Sequence, residues 1–485
     1  MTCLMLLFLL SPAADDALCA ARPLLPHCDR FVAKLQRAGA SGPPPDFLVN
    51  VTTNEADADP GDGFCLTSLG ECTARAGVEE MNAGAGGQKL GFLIPGAGPH
   101  EIPQDDMVPL TITAPSSTID CSTQPGSVLG TGHWRPTHVR PAPQIVFTGT
   151  GGILLTLDAA GGAIVNCGFS GSGATAVFIT DDGDGSRVQA SAFSDLLKGV
   201  EAKPIGSTDL LIGGTTSGQG NWFTDIETNP MILGEDGGSD TGNEVSGNEA
   251  SASATGFVVY GQSGARLDRN WGHDCPTEGC NCINIVGSSQ VTVQRNVMGT
   301  NRQGTAADPC AVGIHLTNSD DTLIGHLTNP ALGNITSGNI GSGVSVESGS
   351  DTIIANNRIG VDIAGGPLCN GDPQIDDNGT GTVIVDNIEC VPTATPTPTP
   401  TPTPTLDPSF GCCPVSGNSN GITCFDSQIV SPGTIASESD CDTILPFAGG
   451  GDATDFFAGG ACPPCEPGPP TCVNGHDAAG TCEAP

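Results

Sequence analysis

Between residues 145 and 390 the chain repeats a short pattern. Runs of three to five apolar or alternating residues recur, separated by Gly, Asn, Asp and Ser. Aligned by eye, the runs begin at Ile153, Val177, Val200, Ile232, Phe257, Ile283, Ile314 and Val344, with successive offsets of 24, 23, 32, 25, 26, 31 and 30. A second column follows at a fixed distance. Asn270, Asn296 and Asn357 each stand 13 residues after Phe257, Ile283 and Val344, in LDRNWG, VQRNVMG and IANNRIG. The same column continues towards the N-terminus as Cys167, Ser191 and Asn221, just before Phe169, Phe193 and Phe223.

A period in the twenties and low thirties, carried by β-type runs without heptads, defines a solenoid. No single turn of chain can bury its own apolar side, so like residues must stack on like at ~4.8 Å. The inward Ile, Val, Leu and Phe columns then become a continuous core. The recurring Asn is expected at a tight corner, adopting left-handed geometry itself and bonding through its amide to the copies above and below. A leucine-rich repeat is the competing solenoid, but its LxxLxLxxN spacing is absent. The pattern predicts an all-β, right-handed parallel β-helix over residues 101–390.

Composition bounds the partners. The chain has 16 Lys+Arg against 53 Asp+Glu, a formal charge of −37. Neutralising phosphates needs clustered cations, so nucleic acid is excluded as a partner. No run approaches the ~18 apolar residues that a membrane span needs. A strongly acidic surface also favours a soluble monomer. Residues 1–21, with CLMLLFLL followed by small residues, read as a secretory signal, and 22–46 as an N-terminal segment. The 21 cysteines favour an oxidising, extracellular or cell-surface setting. Residues 391–409 form a Pro/Thr-rich linker, extended and polyproline-like. The eight cysteines from Cys412 to Cys482 mark 410–485 as a small disulfide module, with zinc ligation at Cys462–Cys465 the alternative.

Several side-chain groups invite a chemical reading. Asp57, Asp59 and Asp62 crowd three carboxylates onto a Pro-Gly turn, a donor set that suits Ca²⁺; an acidic surface turn is the plain alternative. Asp209, Asp321 and Asp351 occupy matching positions in GSTDLLIG, NSDDTLIG and SGSDTIIA. Stacked carboxylates would serve a glycoside hydrolase, whereas turn residues bonding their own backbone need no such role. A pectate-lyase-type enzyme would use an arginine base, and Arg269 and Arg295 flank the Asn column, yet both belong to the repeat itself. His273 with Cys275, Cys280 and Cys282 suggests either a metal loop or a loop disulfide. Trp222 and Trp271 stand isolated in the sequence and offer no aromatic platform.

Two stretches resemble known families. Residues 48–83, LVNVTTNEADADPGDGFCLTSLGECTARAGVEEMNA, resemble the CSLREA domain that opens many exported bacterial β-helix proteins. Where that family reads C-S-L-R-E-A-I, this chain has Cys72-Thr73-Ala74-Arg75-Ala76-Gly77-Val78. Residues 296–362, with NVMGTNRQGTAAD, GIHLTNSDDTLIGH, GNITSGN and NNRIGVD, are similar to right-handed β-helix repeats of the pectate-lyase-like fold. The resemblance implies export and that fold, and no single activity. Residues 47–100 are accordingly expected to cap the solenoid. Thr73 would start a helix whose apolar side includes Val78 and Met81, laid over an open end. Cys65 and Cys72 are spaced for a disulfide, with a reactive thiol pair as the alternative.

Two functions follow. One is a structural, adhesive or carbohydrate-binding protein without catalysis; the other is a polysaccharide lyase or glycoside hydrolase working in a groove. They differ in what the exterior should carry. An enzyme needs an unrepeated cluster of charged and aromatic residues on one face, and a purely structural stack shows ladders alone.

Overall fold

The computed structural model describes residues 43–390, apart from 105–107, 131–138, 203–207, 236–237, 239, 276–278 and 372. It also describes two short strands of a second compact unit (Ala394–Pro485), where Cys413–Pro414 pairs antiparallel with Ile422–Thr423. The signal, residues 22–42 of the N-terminal segment, the whole linker and the rest of the Cys-rich module lie outside the described residues.

The first unit is a parallel β-helix, and register is the proof. One sheet has 12 strands, from Phe47–Val49 to Val383–Val385, every neighbour parallel. Its inward file runs Leu90, Ile119, Ile164, Val188, Ile212, Val245, Leu267, Val293, Ile324, Ile354, Ile384. All but the last are fully buried. A second, bent sheet supplies the opposing faces with the file Leu110, Leu155, Val177, Val200, Met231, Phe257, Ile283, Ile314, Val344, Ile375. Parallel crossovers of this kind wind right-handed.

The alignment by eye needs correction at two rungs. Leu155 and Met231, not Ile153 and Ile232, stand in this file. Ile153 pairs with Thr175, two residues earlier on the same side, while Ile232 lies in the outward register between Glu201 and Val258. The apolar run ILLTL conceals which of two same-side residues pairs with Val177, and MIL conceals the period-two parity that decides which side chain faces in.

A third inward file is aromatic at one end. Phe147, Phe169, Phe193 and Phe223 are in register, with ring centroids 5.5, 5.1 and 4.5 Å apart and near-parallel planes. The file continues as Ala250, Gly272 and Met298. At Gly272 a Cβ would sit 2.9 Å from Cys282 Sγ and 2.8 Å from Met298 Sδ, because the Cys282–Cys310 disulfide fills that volume instead.

Helix α1 (Ala74–Ala83) takes the place of second-sheet strands in the first turn of chain. Thr73 Oγ1 accepts from Ala76 N–H, and Val78 and Met81 are buried beneath it. Asn82 fastens the helix to the edge strand Leu110–Ile112, donating from Nδ2 to Thr111 O and accepting from Thr113 N–H. The N-terminal end of the solenoid is thereby covered.

Candidate functional site

The site grows from the asparagine column. Asn221, Asn248, Asn270, Asn296, Asn334, Asn357 and Asn387 form one ladder in which each backbone N–H donates to the next Oδ1 at 2.9–3.1 Å. Each Nδ2 before the last also donates to the next Oδ1, and each donates to a carbonyl one turn back, as Asn248 does to Ile212 O and Asn270 to Val245 O. Ser191 N–H donates to Asn221 Oδ1 and Cys167 N–H to Ser191 Oγ, so the column extends as far as Cys167. The ladder Asn does not itself adopt the left-handed conformation. At five of the seven rungs the preceding residue does: Gly247, Arg269, Arg295, Asn356 and Asp386 have φ of 67°, 57°, 55°, 57° and 54°. That geometry turns the chain, and the amide then inserts inward.

The residue after each ladder Asn points outward at equivalent register. Trp222, Glu249 and Trp271 occupy this position on three successive rungs, preceded by Gly168 and Ala192 and followed by Val297 and Ile335. Trp222 and Trp271 are therefore not isolated: one carboxylate separates them on a single column. His273, two residues beyond Trp271, stacks its ring on that indole at 4.0 Å. Its Nδ1 lies 2.9 Å from Asp308 Oδ2 and its Nε2 3.4 Å from Glu249 Oε1. Arg140 reaches in from a distant segment, pairs through Nε and Nη2 with Glu249 Oε1, and places its guanidinium 4.5 Å above the Trp222 ring.

Burial ranks the members. Glu249, Trp271 and His273 are 2%, 3% and 8% exposed, whereas Trp222 is half-buried and the Arg140 side chain is 41% exposed. Burial pushes the His273 imidazole down, but its hydrogen bonds to Asp308 and Glu249 and their charges push it up and prevail. The net direction is above the ordinary histidine range. Two disulfides fix the loop around it. Cys275–Cys280 follows His273 directly, and Cys282–Cys310 anchors the segment bearing Asp308. Asp274 N–H and Cys275 N–H donate to Asp308 O and Pro309 O. The set is the unrepeated cluster of charge and aromatic rings that a ladder alone would lack. Arg140, Glu249 and Asp308 escaped sequence reasoning because Arg140 and Glu249 lie 109 residues apart. A signal existed: Trp222, Glu249 and Trp271 each follow a ladder Asn.

Asp57 Oδ1 accepts from Asp59 N–H and Asp62 Oδ1 from Phe64 N–H, while Glu79 and Glu80 of α1 accept from the N–H groups of Asp57, Gly61 and Gly63. Burial, with Glu80 and Asp62 nearby, raises the Asp57 carboxyl despite its bond from Asp59 N–H. Among the described residues no three His, Cys, Asp or Glu side chains converge to hold a metal ion. Cys65 and Cys72 are joined in a disulfide. Asp209, Asp321 and Asp351 are exposed turn residues with φ of 56°, 51° and 56°. Arg295 pairs with the buried Asp268, and Arg269 donates to Thr215 O.

No family profile and no curated protein matches the chain. Among solved structures it is similar to the periplasmic alginate epimerase AlgG, at 11% identity, covering 62% of this chain and 72% of that one, with a TM-score of 0.36. It is also similar to the A-module of mannuronan C-5 epimerase AlgE4 of Azotobacter vinelandii, at 11% identity over 74% of this chain and 97% of that one, TM-score 0.37. Tailspike protein 3 of bacteriophage CBA120 is similar at 12% identity over 76% of this chain and 61% of that one, TM-score 0.29. TM-scores this low say nothing of site or substrate. The strand register by itself defines the class, a parallel β-helix.

Proposed function

We propose that this chain is an exported β-helix protein that binds carbohydrate through the outward column at Trp222. The observation that carries the reading is the unrepeated cluster of Arg140, Trp222, Glu249, Trp271, His273 and Asp308 on the outward column. A half-buried indole offers an apolar face to a sugar ring, and neighbouring carboxylates accept from its hydroxyls. Five disulfides among the described residues support an oxidising compartment. A formal charge of −37 repels polyanions, so neutral glycans are the favoured ligands.

One observation favours a second reading, a polysaccharide lyase or glycoside hydrolase. His273 stands between two carboxylates, an arrangement suited to moving a proton. The test is a panel of neutral and acidic polysaccharides, read by calorimetry and by release of reducing ends or unsaturated products. Binding without products, lost in Trp222→Ala, supports the first reading. Products abolished in His273→Gln would replace it with the second.

A further inference from the structure

The two ends of the solenoid differ. The N-terminal end lies under α1, whereas the last strands, Ile375–Asp377, Val383–Val385 and Ile388–Glu389, each pair on one side only among the described residues. Their other edges present unpaired backbone donors and acceptors, the template for adding another strand. The floor there is apolar: Val383, Ile384 and Ile388 are 49%, 46% and 54% exposed, and Ile384 is the last member of the inward file.

The surroundings are anionic. Asp377 stacks over Val346 and Glu389 over Ile359, so carboxylates replace apolar residues at two inward positions. Asp376 and Asp386 add two more, and no Lys or Arg follows Arg358 anywhere in the sequence. A second copy docked end to end would bring its own carboxylates against these, which like-charge repulsion opposes. The complementary occupant is cationic.

We propose that this end is a docking surface for an extended segment rich in basic and apolar residues, which follows the last turn and adds a parallel strand along each of its faces. Its inward apolar side chains would cover Ile375 and Ile384, and its inward Lys or Arg would meet Asp377 and Glu389. The experiment measures fluorescence anisotropy of labelled peptides long enough to span the last turn against the full chain. A Lys/Val peptide should bind, more weakly as salt rises. A Glu/Val peptide should not, and a Lys/Val peptide interrupted by proline should bind more weakly, because proline removes ladder donors. Asp377→Asn with Glu389→Gln, both exposed, should weaken Lys/Val binding about three- to tenfold. Three results overturn the proposal. They are no binding, equal binding of the proline-interrupted peptide (diffuse attraction to an acidic chain), and sedimentation showing that the chain self-associates through this end.

Discussion

Asn296 Oδ1 accepts two hydrogen bonds from Asn270, one from the backbone N–H at 2.9 Å and one from Nδ2 at 3.0 Å. Both residues are fully buried. Parallel rungs leave one amide per turn facing the interior at this corner, and the side chain of the next rung is the group that satisfies it.

Replacing Asn296 with Ala therefore strands two buried donors at once. Each buried polar group left unpaired costs about 1–3 kcal/mol, so the variant should lose roughly 2–6 kcal/mol. Urea unfolding followed by circular dichroism measures this. Asn378→Ala, at an exposed position, should stay within about 0.5 kcal/mol of wild type. Equal losses at the two sites would mean that the ladder does not bear on stability.

Much of this fold was legible because a solenoid writes its geometry along the chain. Phe257, Ile283, Ile314 and Val344 fall into register although their spacing runs from 26 to 31 residues, because each carries a short apolar strand with a clear start. Asn334 hid from the 13-residue spacing because an inserted loop containing Pro330–Leu332 delays it. Asn248 hid because it stands 17 residues after Met231 (248 − 231) instead of 13, the turn between them being longer. The functional cluster was less legible still. Trp222 and Trp271 share a column only through rung-to-rung pairing with Glu249, and Arg140 and Asp308 arrive from loops outside the repeat. Periodicity reports what recurs, and this site is what does not recur.

The aromatic file offers a second test. Phe193 lies between Phe169 and Phe223, with centroids 5.1 and 4.5 Å away, and is 1% exposed. Phe193→Ala should cost about 3–5 kcal/mol, since flanking rungs held by backbone ladders cannot collapse into the void. Phe193→Leu should cost distinctly less. A urea midpoint unchanged in Phe193→Ala would show that the interior is not close-packed there.

Disulfides should act according to the chain they enclose. Cys121–Cys167 spans a separation of 46 residues and Cys65–Cys72 one of 7. Loop-closure entropy assigns roughly 4 kcal/mol to the longer and roughly 2 kcal/mol to the shorter. Paired Cys→Ala variants should rank in that order by urea unfolding, with the reverse order contradicting it. Peptide mapping without reductant should recover both bridges.

His273 makes stability depend on pH in a direction that can be worked out. Its neighbours are Glu249 on the adjacent rung, Asp308 from the loop, Trp271 beneath, and Arg140 on the far side of Glu249. Its folded-state pKa lies above the unfolded value, which is about 6.5. The folded protein thus binds the proton more tightly than the unfolded chain. The resulting stability is fully present below about pH 6.5 and is lost as pH rises through the folded value. His273→Gln keeps a polar side chain of similar reach but cannot titrate in this range. The difference in Tm between wild type and His273→Gln, measured by scanning fluorimetry, should be larger at pH 6 than at pH 9. A difference that stays constant, or grows towards pH 9, would mean that the imidazole is held neutral between its two carboxylates.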